Sequence, residues 1–279
     1  MKKNLYFITG STIAFLVSIG LGISTGIEEV RNAVFLSFII HWILFIPAYI
    51  MKTEKFYDIS GTFTYITLIF YVFFSSMKNQ INYGNVITSI FIIFWSIRLG
   101  TFLFNRIKKA GEDKRFREIK KSFSWFFMAW TFSGMWVAIC SLCALTAIAN
   151  GIQINTISIT GILIFIFGIS IEIIADLQKT NFRKNPINKD KFIRTGLWKY
   201  SRHPNYLGEI ILWIGIAIIS LPSLELRQMF TLISPLFTYI LLTRISGINL
   251  LEKSGDEKWG HREDYLLYKK ETPRLIMFL

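Results

Sequence analysis

The chain has 279 residues, 52% of them hydrophobic and 16% aromatic, with a mean hydropathy of +0.45. Apolar excess on that scale excludes an ordinary soluble domain, and its recurrence along the whole length excludes a single leader segment as its source. The net charge of +13 therefore has no soluble domain through which to act on nucleic acid. Beside a membrane, basic loops set orientation and meet anionic lipids.

Apolar runs occupy 5–23, 33–50, 63–77, 85–104, 123–149, 156–174, 206–221 and 228–243. Several fall short of the ~20 residues that a perpendicular crossing needs, which predicts tilt or completion by flanking residues. With the N-terminus inside, 27 of the 31 Lys and Arg fall on the inner side, in segments around 2–3, 52–55, 106–121, 179–202 and 244–274. Arg31, Lys78 and Arg227 fall outside, and Arg98 lies within a span. An asymmetry this strong predicts an all-α polytopic membrane protein of about eight helices with both termini cytoplasmic. No linker or repeat divides it, so residues 1–279 read as one transmembrane domain.

In chain order, His41 is the first polar group within a span, and alone among apolar neighbours it reads as a packed, hydrogen-bonded histidine. Asp58 opens the run Asp-Ile-Ser-Gly-Thr-Phe-Thr-Tyr65 and could cap the third span. Arg98 must snorkel, pair or line a cavity, and Glu209, Asp58 or a bound ligand are the partners to consider. The following loop, Arg106 to Arg117, holds Asp113 and Arg115. Cys140 and Cys143 form a C-x-x-C whose Ser, Leu and Ala neighbours offer no redox or metal partner, so close helix packing is the expected role.

Beyond the sixth span, Glu172, Asp176, Lys179 and Arg183 share one helix face. Asn185-Pro186 then stops the helix. Such a face can hydrogen-bond ribose hydroxyls and pair with phosphates. The run Thr195 to Glu209 is the richest of all, with Arg202, His203, Asn205, Tyr206 and Glu209 at the mouth of an apolar helix. Pro204 fits the first helical turn, and Asn205, Tyr206 and Glu209 then share a face. Polar faces on membrane helices meet protein, water or ligand, and here a ligand is favoured. The C-terminal segment mixes charge with aromatics, Arg244, Glu252, Trp259, Asp264, Tyr265 and Tyr268, as an interfacial helix or lid does. Phosphate-loop, zinc-protease, serine-hydrolase and dinucleotide-fold motifs are absent, and no metal cluster is expected.

Five stretches carry a resemblance: Arg98-Leu-Gly, Gly-Glu-Asp113-Lys-Arg115-Phe, Asp176-Leu-Gln-Lys179-Thr-Asn-Phe182, Gly196 through Glu209, and Ser246-Gly-Ile-Asn-Leu-Leu-Glu252. On these the chain resembles, over roughly residues 55–276, a bacterial integral-membrane family allied to the steroid 5-alpha-reductases. Its Arg-His-Pro…Tyr…Gly core also resembles isoprenylcysteine carboxyl methyltransferases and related phospholipid methyltransferases.

The resemblance implies an inner-membrane reductase that takes hydride from NADPH and saturates a carbon–carbon double bond conjugated to a carbonyl. Residues 1–104 would then be the substrate side and 105–279 the cofactor half, facing the cytoplasm. Asp176, Arg183, Arg244 and the 202–209 segment would hold the cofactor, and Arg98, Arg106, Asp113, Arg115 and Lys179 complete the expected set. The steroid enzymes carry Asn where this chain has Glu172. They use a Glu and a Tyr from N-terminal helices beside the substrate carbonyl; Asp58 is placed to replace the Glu, the Tyr position falls on Trp95, and Tyr65 is the other candidate. NADPH needs several cationic contacts, whereas S-adenosylmethionine is itself a cation. The partners implied are a lipid-like substrate and membrane lipids. The alternatives are an S-adenosylmethionine-dependent lipid or isoprenylcysteine methyltransferase and a non-enzymatic lipid-binding or transport protein.

Overall fold

The computed structural model describes residues 2–77 and 80–276. Lys78, counted above among the outer basic residues, and the terminal residues 1 and 277–279 lie outside them. Among the described residues all regular structure is helical. In chain order the helices are α1 (Lys2–Ser24), α2 (Glu28–Ile50), α3 (Tyr57–Ser75), α4 (Tyr83–Ala110), the single turn α5 (Phe116–Ile119), α6 (Phe123–Asn150) and α7 (Thr156–Lys184). They are followed by α8 (Pro204–Ser220), α9 (Ile233–Ile240), α10 (Ile248–Trp259) and α11 (Glu263–Glu271).

Among the described residues, eight helical segments are long and apolar enough to cross a membrane, as the eight apolar runs predict. The lengths differ from the apolar runs because helices outlast hydrocarbon. α4 extends to Ala110 and α7 to Lys184, carrying their basic residues past the apolar stretch. The last segment runs 226–259, not 228–243, because a 3-10 turn precedes α9 and a π turn at Leu241–Ile245 leads towards α10.

The contacts gather the chain into two compact units. One is Met1–Ser158 with Ser220–Ser234, and the other is Ile159–Ile219 with Pro235–Leu279. Residues 105–158, read above as part of a cofactor half, belong with the first four helices.

In the first unit α6 is the central helix, packed against α1, α2, α3 and α4. Its composition explains this: Cys140, Ser141, Cys143, Ala144 and Ala147 are small and fully or almost fully buried, which lets neighbouring backbones approach. Both cysteines are unbridged. Several hydroxyls in this apolar interior are satisfied by carbonyls, as lipid favours. Ser141 donates to Val137 O at 2.6 Å and Ser37 crosses from α2 to Gly134 O at 2.8 Å. His41 is fully buried with Nδ1 2.8 Å from Ser37 O, a packed histidine as expected. At one end Phe45, Phe116, Phe126 and Trp130 form an aromatic cluster.

The second unit is built on α7 and α8. Gly161 and Gly168 on α7, and Gly208 and Gly215 on α8, are each seven residues apart, two turns and therefore one face. A Cβ at Gly168 would lie 2.5 Å from Leu212 N, and one at Gly208 2.6 Å from Glu172 N. The other pair matches it, with Gly161 facing Ile219 and Gly215 facing Phe165, each 2.6 Å from a backbone N. The two helices thus run antiparallel in backbone-to-backbone contact at two points, where dispersion replaces the hydrophobic drive that lipid withholds. This contact aligns Glu172 of α7 with Gly208, beside Glu209.

Candidate functional site

Within the second unit the polar stretches of the sequence converge. Past the apolar part of α7 the chain turns at Asn185, whose side chain accepts from Ile187 N at 3.0 Å, and returns along 191–203. Two bonds pin the return to α7: Trp198 Nε1 donates to Ala175 O at 3.1 Å, and Gln178 Oε1 accepts from Leu197 N at 3.0 Å. Gly196 sits at φ +64° against the Gln178 amide, a backbone conformation that L side chains resist. Trp198 is 3% exposed, and the Lys179 ammonium lies 4.6 Å above its ring.

The next residues are held from the C-terminal side. Arg202 N and His203 N donate to Pro273 O and Arg274 O at 2.9 and 3.1 Å. Glu252 of α10 is the hub: its carboxylate is 2.8 Å from His203 Nε2, 3.1 Å from Arg202 and 3.5 Å from Lys269 of α11. Tyr268 donates to Trp198 O at 2.6 Å. Phe192 packs against Trp259, Tyr265 and Tyr268, with the Arg262 guanidinium 5.5 Å from its ring.

These elements enclose a cavity of about 300 Å³. Lys179, Arg183, Lys191, Arg202 and Lys258 line it against a single carboxylate, Glu252, and Phe182, Phe192, Trp198, Trp259, Tyr265 and Tyr268 supply aromatic walls. Burial pushes the Tyr265 phenol up to about 12, helped by the Asp256 and Glu252 charges, and pushes Tyr268 up as well. Both are hydroxyl donors at neutral pH. Burial also holds His203 below the ordinary histidine range, the Lys179 and Arg202 charges adding to it and Glu252 opposing.

Excess cationic charge with flat apolar walls suits a polyanion that carries aromatic rings. The buried polar atoms here without a hydrogen-bond partner include Arg202 Nε, His203 Nδ1 and Asn205 Oδ1. Groups of this kind cost about 1–3 kcal/mol each when left unpaired, and a ligand with both donors and acceptors relieves them. A phosphorylated dinucleotide such as NADPH fits this residue set.

Of the residues singled out from sequence, Lys179, Arg183, Arg202 and His203 meet at this cavity with Glu252, Trp259, Tyr265 and Tyr268 of the C-terminal segment. Tyr206 stacks on the His203 ring with centroids 6.0 Å apart, beside Asn205 in the first turn of α8. Asp176 and Glu209, each 4% exposed, are buried in α7 and α8. Arg244 is exposed on the π turn, and its carbonyl accepts from Asn249 at 3.2 Å. Sequence reasoning missed Lys191, Phe192 and Lys258, which sit outside any helix-face pattern shared with α7.

A separate cavity of about 90 Å³ lies in the first unit between α3, α4 and α6. Asp58 and Tyr65, seven residues apart on one face of α3, both line it, with Trp95 and Ser96 of α4 and Ser133 and Trp136 of α6. Tyr65 and Trp95 meet edge to face at 5.3 Å. Asp58 is not the cap of α3, because that position is Phe56, so its carboxylate is left for the cavity that it lines.

Arg98, Arg106, Asp113 and Arg115, read from sequence as cofactor residues, belong to the first unit. Arg98 lies 5.8 Å from the Phe102 ring, and Arg106 is exposed. Asp113 is clasped by Arg115, with Nε 2.9 Å and Nη2 2.5 Å from Oδ2. The Asp113 amide donates to Glu54 Oε1 at 2.9 Å, and Glu54 also pairs with Lys120 at 2.7 Å. This geometry makes the Gly-Glu-Asp-Lys-Arg stretch a loop clasp. Burial would raise the Asp113 carboxyl, but the Arg115 hydrogen bonds and charge hold it below the usual range.

Residues 44–272 match a family described as "Protein of unknown function (DUF1295)". The chain belongs to that family. The DUF1295 group is related to steroid 5-alpha-reductase-like membrane proteins, which agrees with the resemblance at that level. A stretch of 84 residues is 36% identical to a Ustilaginoidea virens protein described as "Probable O-methyltransferase ustE", covering 28% of this chain and 30% of that protein. The chain thus spans about a third of the length of that curated relative. No solved structure matches.

Proposed function

We propose that this protein is a membrane-embedded reductase that uses NADPH to saturate a carbon–carbon double bond conjugated to a carbonyl in an apolar, lipid-like substrate. The observation that carries the reading is the charge of the second unit's cavity, five cations against one carboxylate with aromatic walls. NADPH, when bound, supplies hydride. Lys179, Arg183, Lys191, Arg202 and Lys258 hold its phosphates, and the aromatic walls take its rings.

Asp58 and Tyr65 serve the substrate. Negative charge develops on a carbonyl oxygen as the conjugated bond is reduced, and a donor in a dry cavity stabilises it. Trp95, Leu99, Leu103 and Val137 make that cavity apolar enough for a lipid that enters from the bilayer. The bias of basic residues to one side supports a cytoplasmic position for both termini and the nucleotide site.

The partial likeness to a methyltransferase-named protein favours a second reading, methyl transfer from S-adenosylmethionine to a lipid or lipidated thiol. Five lining cations repel a sulfonium, which weighs against it. Thermal unfolding in detergent separates the two. NADPH at ~100 times its dissociation constant adds ~2.7 kcal/mol of stability, and the expected result is a raised Tm with NADPH and none with S-adenosylmethionine. The reverse pattern would establish the methyltransferase.

With a substrate in hand, Asp58→Asn is expected to lower kcat by ~10²–10⁴, the range for a lost general acid, and to leave the NADPH-induced Tm shift intact. An unchanged kcat in Asp58→Asn would remove Asp58 from the chemistry and pass the role to Tyr65, tested in the same way with Tyr65→Phe.

A further inference from the structure

The Glu252–His203 pair decides which nitrogen of the imidazole carries the proton. Glu252 is paired with two further cations, Arg202 at 3.1 Å and Lys269 at 3.5 Å, and is therefore ionised. An ionised carboxylate only accepts hydrogen bonds, so the 2.8 Å contact to His203 Nε2 needs the proton on Nε2. In the neutral ring Nδ1 is then a bare acceptor. It is buried and without a partner, on a side chain 7% exposed that lines the cavity.

Bare acceptors repel phosphate oxygens and call for a hydroxyl or N–H. The cavity already has Lys179, Arg183, Lys191 and Lys258 for phosphate. We propose that Glu252 is a positioning residue that locks His203 as the Nε2–H tautomer, and that His203 Nδ1 accepts a hydrogen bond from a ribose hydroxyl of the bound nucleotide. The assignment rests on the NADPH reading and deepens it, because it divides the site into a cationic part that holds phosphates and a neutral histidine that reads sugar.

A pH dependence follows. The charged groups that face His203 are Glu252 from α10, Lys179 from α7 and the adjacent Arg202, with Lys269 of α11 behind Glu252 and the Tyr206 ring stacked on it. Of these, histidine is the side chain whose ordinary titration lies between pH 5 and 8. A protonated Nδ1 donates and no longer accepts, so NADP⁺ affinity is expected to weaken about tenfold as His203 takes up its second proton, the equivalent of one lost hydrogen bond. A phosphate contact at Nδ1 would strengthen binding over the same range. In His203→Asn, whose amide oxygen stands near the Nδ1 position and does not titrate, that part of the pH dependence disappears.

The direct test is NMR of isotope-labelled imidazole nitrogens. The chain has three histidines, and His203→Asn assigns the signal. The free protein should show a protonated Nε2 and an unprotonated Nδ1, and saturation with NADP⁺ should move the Nδ1 resonance in the direction of an accepted hydrogen bond. In Glu252→Gln the amide can also donate, so the two tautomers should mix and NADP⁺ affinity fall about tenfold while Tm shows the fold retained. An Nδ1–H or doubly protonated ring in the free wild type overturns the assignment. So does an unmoved Nδ1 resonance while NADP⁺ still raises Tm, and either result leaves the NADPH reading standing. No stabilisation by NADP⁺ or NADPH would overturn the NADPH reading, and the ribose contact with it.

Discussion

Glu252→Ala is expected to lose ~3–5 kcal/mol of stability, the range for removing one partner of a buried ion pair, and with it all measurable NADPH binding. Glu252 is 8% exposed, and the Arg202 side chain that it neutralises is 10% exposed. Removing the carboxylate leaves a guanidinium and an ammonium facing each other with water largely excluded. It also frees the His203 ring and the junction of α10 with α11, where Lys269 bridges Glu252 and Asp256 at 3.5 and 2.5 Å. Glu252→Gln keeps the shape and two hydrogen-bonding atoms, so it should fall well short of the alanine loss. Thermal and denaturant unfolding in detergent, followed by helical circular dichroism, measure the difference. A Glu252→Ala variant within ~1 kcal/mol of wild type would mean that the pair behaves as a solvated surface bridge.

The fold was legible because a membrane allows few solutions. Eight apolar runs become eight helices since each backbone amide must be satisfied within its own segment. The face of Glu172, Asp176, Lys179 and Arg183 was legible for the same reason, as helical spacing alone places those residues together. His203 and Arg202 could be read because Pro204 marks a helix start and charges there are costly without a use. Lys191 and Phe192 could not, since they lie in a return loop whose path depends on Trp198 reaching Ala175 and Gln178 reaching Leu197. That Asp113 and Arg115 pair with each other could not be read either, because charge and motif do not show that a carboxylate already has a partner two residues on. The meeting of Asp58 with Tyr65 is a spacing of seven on one helix, visible in principle. That the space between them is open, with nothing within 4 Å of a Cβ at Gly61, required coordinates.

Gly168→Val should be the most damaging single change in the second unit's helix pair. A Cβ at this position would lie 2.5 Å from Leu212 N and 2.8 Å from Gly208 O. Both obstacles are backbone, so no rotamer change relieves them. α7 and α8 must part instead, and the matching close approach at Gly161 and Gly215 two turns away loosens with them. Overpacking costs typically ~1–3 kcal/mol and occasionally more, and a valine against rigid backbone on both sides belongs at or above the top of that range. Gly20 in α1 is the control. Nothing lies within 4 Å of its Cβ position, so Gly20→Ala should be neutral or gain up to ~1 kcal/mol of helix propensity. The valine also moves Glu172 relative to Gly208, and thereby the start of α8 that carries Asn205 and Tyr206. NADPH binding should therefore weaken even in the fraction that folds. Equal Tm values for Gly168→Val and Gly20→Ala would mean that the two helices do not touch backbone to backbone.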